Sequence, residues 1–191
     1  TKPKLNSGLV AVSETTTFPS TLCDNSTFDI LCFRPTWFRD GLGRQTDFLY
    51  NTRGQLTERT DPADADGVRR KTYLTYDTST GISRPSAVRV CGDTTTCNTA
   101  DEIRTEYQYW GNTLLPSVVR RIDAARGETL VTTNTYDLAG RLKVSDGPMA
   151  GTGDATYFLY DQFGRKTWAT GPADTSGLRR ATQTTYRNSD D

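Results

Sequence analysis

Apolar and polar residues alternate along short stretches of this chain instead of recurring every three or four positions. "TNTY" at 133–136 and "RLKVS" at 141–145 keep the two-residue period of a strand, and β-branched Thr and Val crowd such segments. Between them lies "YDLAGR" (136–141), and "YDQFGR" (160–165) repeats its spacing. Asp suits the first position of a type I turn, where its carboxylate accepts a backbone N–H two residues on, and Gly suits the fourth. A glycine at positive φ then forms the bulge from which the returning strand pairs. Asp137 with Gly140 therefore predicts a hairpin turn, as does Asp161 with Gly164.

Tyrosines placed before turns recur at Tyr50, Tyr76, Tyr109, Tyr136, Tyr160 and Tyr186, at intervals of 26, 33, 27, 24 and 26 by subtraction. The long interval contains "CGDTTTC" (91–97), an insertion whose removal restores 26. At an offset of 110, residues 48–76 lie over 158–186 without a gap and share Tyr50, Gly54, Pro62, Asp64, Gly67, Arg69 and Tyr76 with their partners. Two strands of about eight residues and two turns fill such a unit. Helical repeats are generally longer and carry a 3.6-residue period. The second turns, "TDPADADG", "SDGPMAGTG" and "TGPADTSG", are rich in Pro and Gly and predict loops. The expected fold is all-β: antiparallel β-hairpin repeats in a curved sheet.

Composition sharpens this picture. In 191 residues, 23 basic and 23 acidic side chains balance, which offers nothing to nucleic acid, and 34 % hydrophobic residues suit strands with a wet face better than a thick core. Aromatic content of 10 % and regular alternation argue against disorder. No apolar run is long enough to span a bilayer. The start at Thr1 and a Tyr-turn pattern interrupted after Tyr186 suggest a piece of a longer protein. Cys23 with Cys32, and Cys91 with Cys97, are local pairs that favour two disulfides, hence a secreted, periplasmic or cell-surface setting. Zinc is disfavoured because the chain has no His and no Cys-x-x-Cys knuckle.

At Tyr136-Asp137 with Gly140-Arg141, and Tyr160-Asp161 with Gly164-Arg165, the sequence resembles the RHS or YD-repeat family. Looser matches are Tyr50 with Gly54, Tyr76-Asp77 with Gly81, and Tyr109 before a shortened turn. Residues 46–191 are covered as the repeat region. Residues 1–45, with an apolar "ILCFRPTWF", form an N-terminal segment expected to cap an edge, although "RDGLGRQ" (39–45) looks like a degenerate turn of the same kind. The resemblance implies a β-sheet strip that winds into a shell, in bacterial members around a toxic C-terminal domain. This chain would then be a segment of wall, partnered by the rest of its polypeptide and by an enclosed toxin domain.

Catalysis is not expected. Without His the Ser-His-Asp and Cys-His pairs are absent, and Asp61-Pro62-Ala63-Asp64 lacks the Gly of the family's self-cleavage motif. No cofactor or metal is expected, though Asp61, Asp64 and Asp66 offer oxygens of the kind calcium loops use. Trp37, Trp110 and Trp168 are candidate platforms for sugar rings, with cross-strand packing as the alternative. The doublets Arg69-Arg70, Arg120-Arg121 and Arg179-Arg180 read as cross-strand ion pairs and solvated faces. A second functional reading is a surface adhesin or fibre that binds glycans or associates through edge strands.

Overall fold

The computed structural model describes residues 13–19, 30–92, 97 and 100–187. Its strands are β1 (Thr15–Thr17), β2 (Trp37–Arg39), β3 (Gln45–Tyr50), β4 (Leu56–Ala63), β5 (Arg69–Asp77), β6 (Arg84–Cys91), β7 (Ile103–Tyr109), β8 (Pro116–Asp123), β9 (Glu128–Tyr136), β10 (Leu142–Asp146), β11 (Thr156–Tyr160), β12 (Lys166–Ala173) and β13 (Arg179–Gln183). The thirteen form one sheet in the order of the sequence, and a single 3-10 turn, Ile30–Phe33, stands outside it among the described residues. The protein is all-β, with antiparallel pairings. It packs as two units, Thr1–Thr75 with Val88–Ile103, and Tyr76–Ala87 with Arg104–Asp191.

In the first unit β3 pairs β4 with Asp47 opposite Thr60 and Leu49 opposite Glu58, and the register slips by one residue just before the turn, at Tyr50 and Leu56. β4 then pairs β5 with Thr60 opposite Lys71, and slips again before Ala63 meets Arg69. In the second unit β11, β12 and β13 repeat every one of these pairings 110 residues later, slips included. β8 and β9, by contrast, run from Val118–Thr133 to Asp123–Glu128 without a bulge.

Two expectations are corrected. "TDPADADG" and "TGPADTSG" are not loops throughout: Asp61-Pro62-Ala63 ends β4 and Gly171-Pro172-Ala173 ends β12. Both prolines lie where the register slips, and at a bulge a residue without an N–H costs no ladder bond. Nor do β4 and β5 show one wet and one dry face, whereas β12 begins with alternating exposed and half-buried positions. β4 and β5 are half-buried at almost every position, and among the described residues Cys91 and Ala155 alone are buried hydrophobics.

The insertion is closed by a Cys91–Cys97 disulfide, Cα atoms 5.3 Å apart. Beside it, within the first unit, Arg89 makes two bonds to the buried Glu102, Nε to Oε1 at 3.0 Å and Nη2 to Oε2 at 2.8 Å. Cys32 is also disulfide-bonded, and its expected partner Cys23 lies outside the described residues.

Candidate functional site

The chain's most repeated construction is a five-residue turn. At Asp137 the backbone N–H bonds Arg141 O and the carbonyl accepts Gly140 N–H, both at 2.9 Å. Its carboxylate Oδ1 accepts the N–H groups of Ala139 and Arg141, and Oδ2 accepts Arg141 Nε at 2.6 Å. Gly140 sits at φ 79°, the left-handed region that a Cβ disfavours. Asp161 builds the same turn with Phe163, Gly164 and Arg165. So does Asp40 with Leu42, Gly43 and Arg44. Asn51 does it with a neutral amide: Oδ1 accepts Arg53 and Gln55 N–H, and Nδ2 donates to Gln55 Oε1 at 3.1 Å.

Asp64 and Asp174 make the same backbone bonds, to Asp66 and Val68 and to Ser176 and Leu178. With Asp40 they belong to the opposite strand ends from the tyrosines, so one turn chemistry serves both ends. Sequence reading anchored on Tyr passed over Asp64 and Asp174 as turn caps; the signal that finds them is Asp-x-x-Gly alone.

Tyrosine marks the end at which successive turns are laced together. In the second unit Tyr109 Oη donates to Pro85 O (2.6 Å), Tyr136 to Pro116 O (2.9 Å), Tyr160 to Leu142 O (2.9 Å) and Tyr186 to Lys166 O (3.0 Å). Each acceptor is in or next to the first residue of the strand leaving the previous Tyr-side turn. The residue closing that turn reaches forward in return. The guanidinium of Arg84 lies 4.5 Å from the Tyr109 ring, Arg141 5.0 Å from Tyr160, and Arg165 4.6 Å from Tyr186. Arg84, itself buried, also bonds Asp77 Oδ2 and the carbonyls of Gly111 and Thr113 in the next turn. Each link thus runs from carboxylate to guanidinium to the next phenol ring.

One link is written differently. The 110–115 turn has neither Asp nor Arg; Trp110 N–H bonds Leu115 O, and the Trp110 ring lies 5.9 Å from Tyr136. Trp110 therefore packs where an arginine lies elsewhere. Trp37 sits on β2 under Arg39 at 5.3 Å, and Trp168 sits on β12 opposite Leu159. The tryptophans occupy three separate settings.

At the ends without tyrosine, arginines bind backbone. Arg69 donates to Asp61 O (3.0 Å) and Gln45 O (2.9 Å) and pairs with Asp47 at 2.6 Å. Arg179 donates to Gly171 O (3.0 Å), Ala155 O (2.5 Å) and Thr152 O, with its guanidinium 5.1 Å from Tyr157. Arg120 pairs with Glu106 at 3.5 Å. The first member of each doublet thus crosses strands.

The electrostatics match this use. Ser79, through its hydroxyl and then its N–H, and Arg84 hold the Asp77 carboxyl below its usual range, and the Arg141 N–H and side chain do so for Asp137. At Asp161 burial pushes the other way, but the Arg165 side chain and N–H prevail and the net shift is downward. Burial pushes the Tyr136 and Tyr109 phenols up, which keeps them protonated donors. Two of the three acids considered for calcium serve the fold: Asp61 pairs with Arg59 at 2.6 Å and Asp64 caps its turn. Among the described residues no three His, Cys, Asp or Glu side chains gather. Among them too, no helix is long and apolar enough to cross a membrane.

No family model and no curated protein matches the chain. Crystal structures of TcdB2-TccC3-Cdc42 and of TcdB2-TccC3 match it at 15 % identity and a TM-score of 0.37, over 84 % and 83 % of this chain. The chain spans about 8 % of the length of the chains it matches.

Proposed function

We propose that the chain is a non-catalytic segment of wall in an exported RHS or YD-repeat protein. Its work is to hold a hairpin sheet together, in the family around a toxin cargo. The observation that carries this reading is the carboxylate, guanidinium and phenol lacing from one Tyr-side turn to the next. The Asp and Arg side chains of these turns, Asp77, Asp137 and Asp161 with Arg84, Arg141 and Arg165, are held in structural bonds. The Cys91–Cys97 disulfide favours an oxidising compartment. Sedimentation of the intact chain tests the reading: a wall segment stays monomeric up to high micromolar concentration, and reversible self-association with concentration would sink it.

A second reading, a surface module that binds glycans, is favoured by one feature. Leu159 and Trp168 face each other across β11 and β12 and are 59 % and 37 % exposed, an apolar pair open to solvent. Titration with surface polysaccharides decides it: binding abolished by Trp168→Ala supports this reading, and no binding at millimolar sugar removes it.

A further inference from the structure

Residues 30–36 repeat, in different chemistry, what a Tyr-side turn does to its successor. In the second unit the space over two turn glycines, Gly140 and Gly164, is filled by the residue closing the previous turn, while Gly81 and Gly111 have open space there. Leu115 Cδ1 lies 3.2 Å from where a Cβ on Gly140 would stand, and Arg141 Nη1 lies 3.6 Å from that of Gly164. In the first unit Gly54, at φ 72°, is covered by Ile30, whose side-chain carbons lie 3.2 to 3.4 Å from the same point. Ile30 opens the 3-10 turn, and Arg34 N–H closes it onto Leu31 O at 2.9 Å.

Arg34-Pro35 then enters the sheet as Arg84-Pro85 and Leu115-Pro116 do after their turns. Thr36 O accepts the Phe48 N–H at 2.9 Å, and Thr36 itself bonds Thr17 O through both N–H (2.8 Å) and hydroxyl (3.1 Å). Arg34 lines one groove with Pro19, Leu31, Thr36, Phe48 and Tyr50, near enough for its charge to act on the Tyr50 phenol against the opposing effect of burial.

We infer that residues 30–36 act as the first Tyr-side turn of the lacing, seating Ile30 on Gly54 and Arg34 beside Tyr50. The lacing therefore begins at Ile30 rather than at Tyr50, and the exposed side of the 50–55 turn is closed by the protein's own residues. This inference rests on the structural-segment reading and assigns its N-terminal closure.

The test is amide hydrogen exchange on the intact chain carrying Ile30→Ala, Ile30→Leu or Arg34→Ala. Loss of the contact of Ile30, a residue itself 47 % exposed, is expected to speed exchange at Asn51, Gly54 and Gln55 by about fivefold, with Gly140 and Gly164 unchanged. Ile30→Leu, which keeps an apolar side chain over the glycine, is expected to hold wild-type rates there, and Arg34→Ala to speed Asn51 and Gly54 about twofold. Unchanged rates at 51–55 in both alanine variants would overturn the inference. So would equal acceleration at Gly67 and Val68, the far ends of the same strands, or an Ile30→Leu variant as fast as Ile30→Ala. Self-association of the wild-type chain would sink the wall reading and leave this result standing.

Discussion

Arg69 and Arg179 stand 110 residues apart and make the same two reaches, one to the carbonyl eight residues back and one to the carbonyl twenty-four back. The strands around them, β3 to β5 in one unit and β11 to β13 in the other, share every register and every slip. Their faces differ. Where Arg69 pairs with Asp47, Arg179 lies over Tyr157; where Lys71 pairs with Glu58 at 2.6 Å, the same places hold Ala181 and Trp168. Bonds that end on backbone persist between the two, while bonds that end on side chains have been rewritten from ionic to aromatic. The hairpin is therefore defined by arginine-to-carbonyl and carboxylate-to-amide bonds, and the face is free to vary.

Removing the shared part should break the two regions alike. Arg69→Ala deletes charge-assisted bonds to two carbonyls and Arg179→Ala to three, a loss of about 2 to 3 kcal/mol each. Native-state exchange should accelerate at Gly67 and Val68 in the first variant and at Gly177 and Leu178 in the second, by comparable factors. A loss confined to one of the two would show that the face, not the backbone bonds, sets stability. Next in size are the turn glycines. Gly67 and Gly177, at φ 80° and 79° with open space around them, meet no neighbour on gaining a Cβ, so Gly67→Ala and Gly177→Ala should each cost about 1 kcal/mol from left-handed strain alone. Equal Tm losses for the pair would show that the turn does not sense which face it serves.

Salt separates the faces. Arg69–Asp47 and Lys71–Glu58 are partly exposed ion pairs, worth at most about 1 kcal/mol each and weakened by screening. Raising salt from about 0.05 to 0.5 M should speed exchange in β4 and β5 about twofold and leave β12 and β13 unmoved. Equal sensitivity in both would place the ionic contribution in the turns that they share.

What the sequence disclosed follows the same division. The Tyr-Asp-x-x-Gly-Arg turns, the period and the all-β class were legible because they rest on local chemistry, an Asp capping amides two and four residues on and a Gly free to take positive φ. Pro62 and Pro172 misled because a proline at a bulge cannot be told from one in a loop without the register. The forward reach of Arg84, Arg141 and Arg165 was hidden because their targets lie a repeat away, and carbonyl acceptors exist at every residue. Trp110 was legible as an aromatic at a turn, but its place in the lacing needed the geometry of Tyr136. The Asp40 turn was read as a degenerate copy, while Asp64 and Asp174 were written in the sequence and missed, since a search anchored on tyrosine sees one end of each strand.

The smallest effect is the most selective, because the turns at 51 and 161 occupy equivalent places and differ in charge. Asp161 caps its turn as a carboxylate whose pKa is held below the ordinary 3.8, burial opposing and the Arg165 side chain and N–H prevailing. A carboxyl with a folded pKa below its unfolded one contributes stability that is fully present above that unfolded value. The contribution fades as pH falls through the folded pKa, so the window lies below about pH 4. Asn51 accepts the same two N–H groups through an amide that does not titrate in this range. Between pH 5 and pH 2, exchange at Gly164 and Arg165, corrected for its intrinsic pH dependence, should accelerate relative to Gly54 and Gln55. Asn51→Asp should carry the same acid sensitivity into the first unit. If the 51 and 161 turns lose protection together in the wild-type chain, acid acts through ion pairs elsewhere, and the carboxylate cap is not what distinguishes the two.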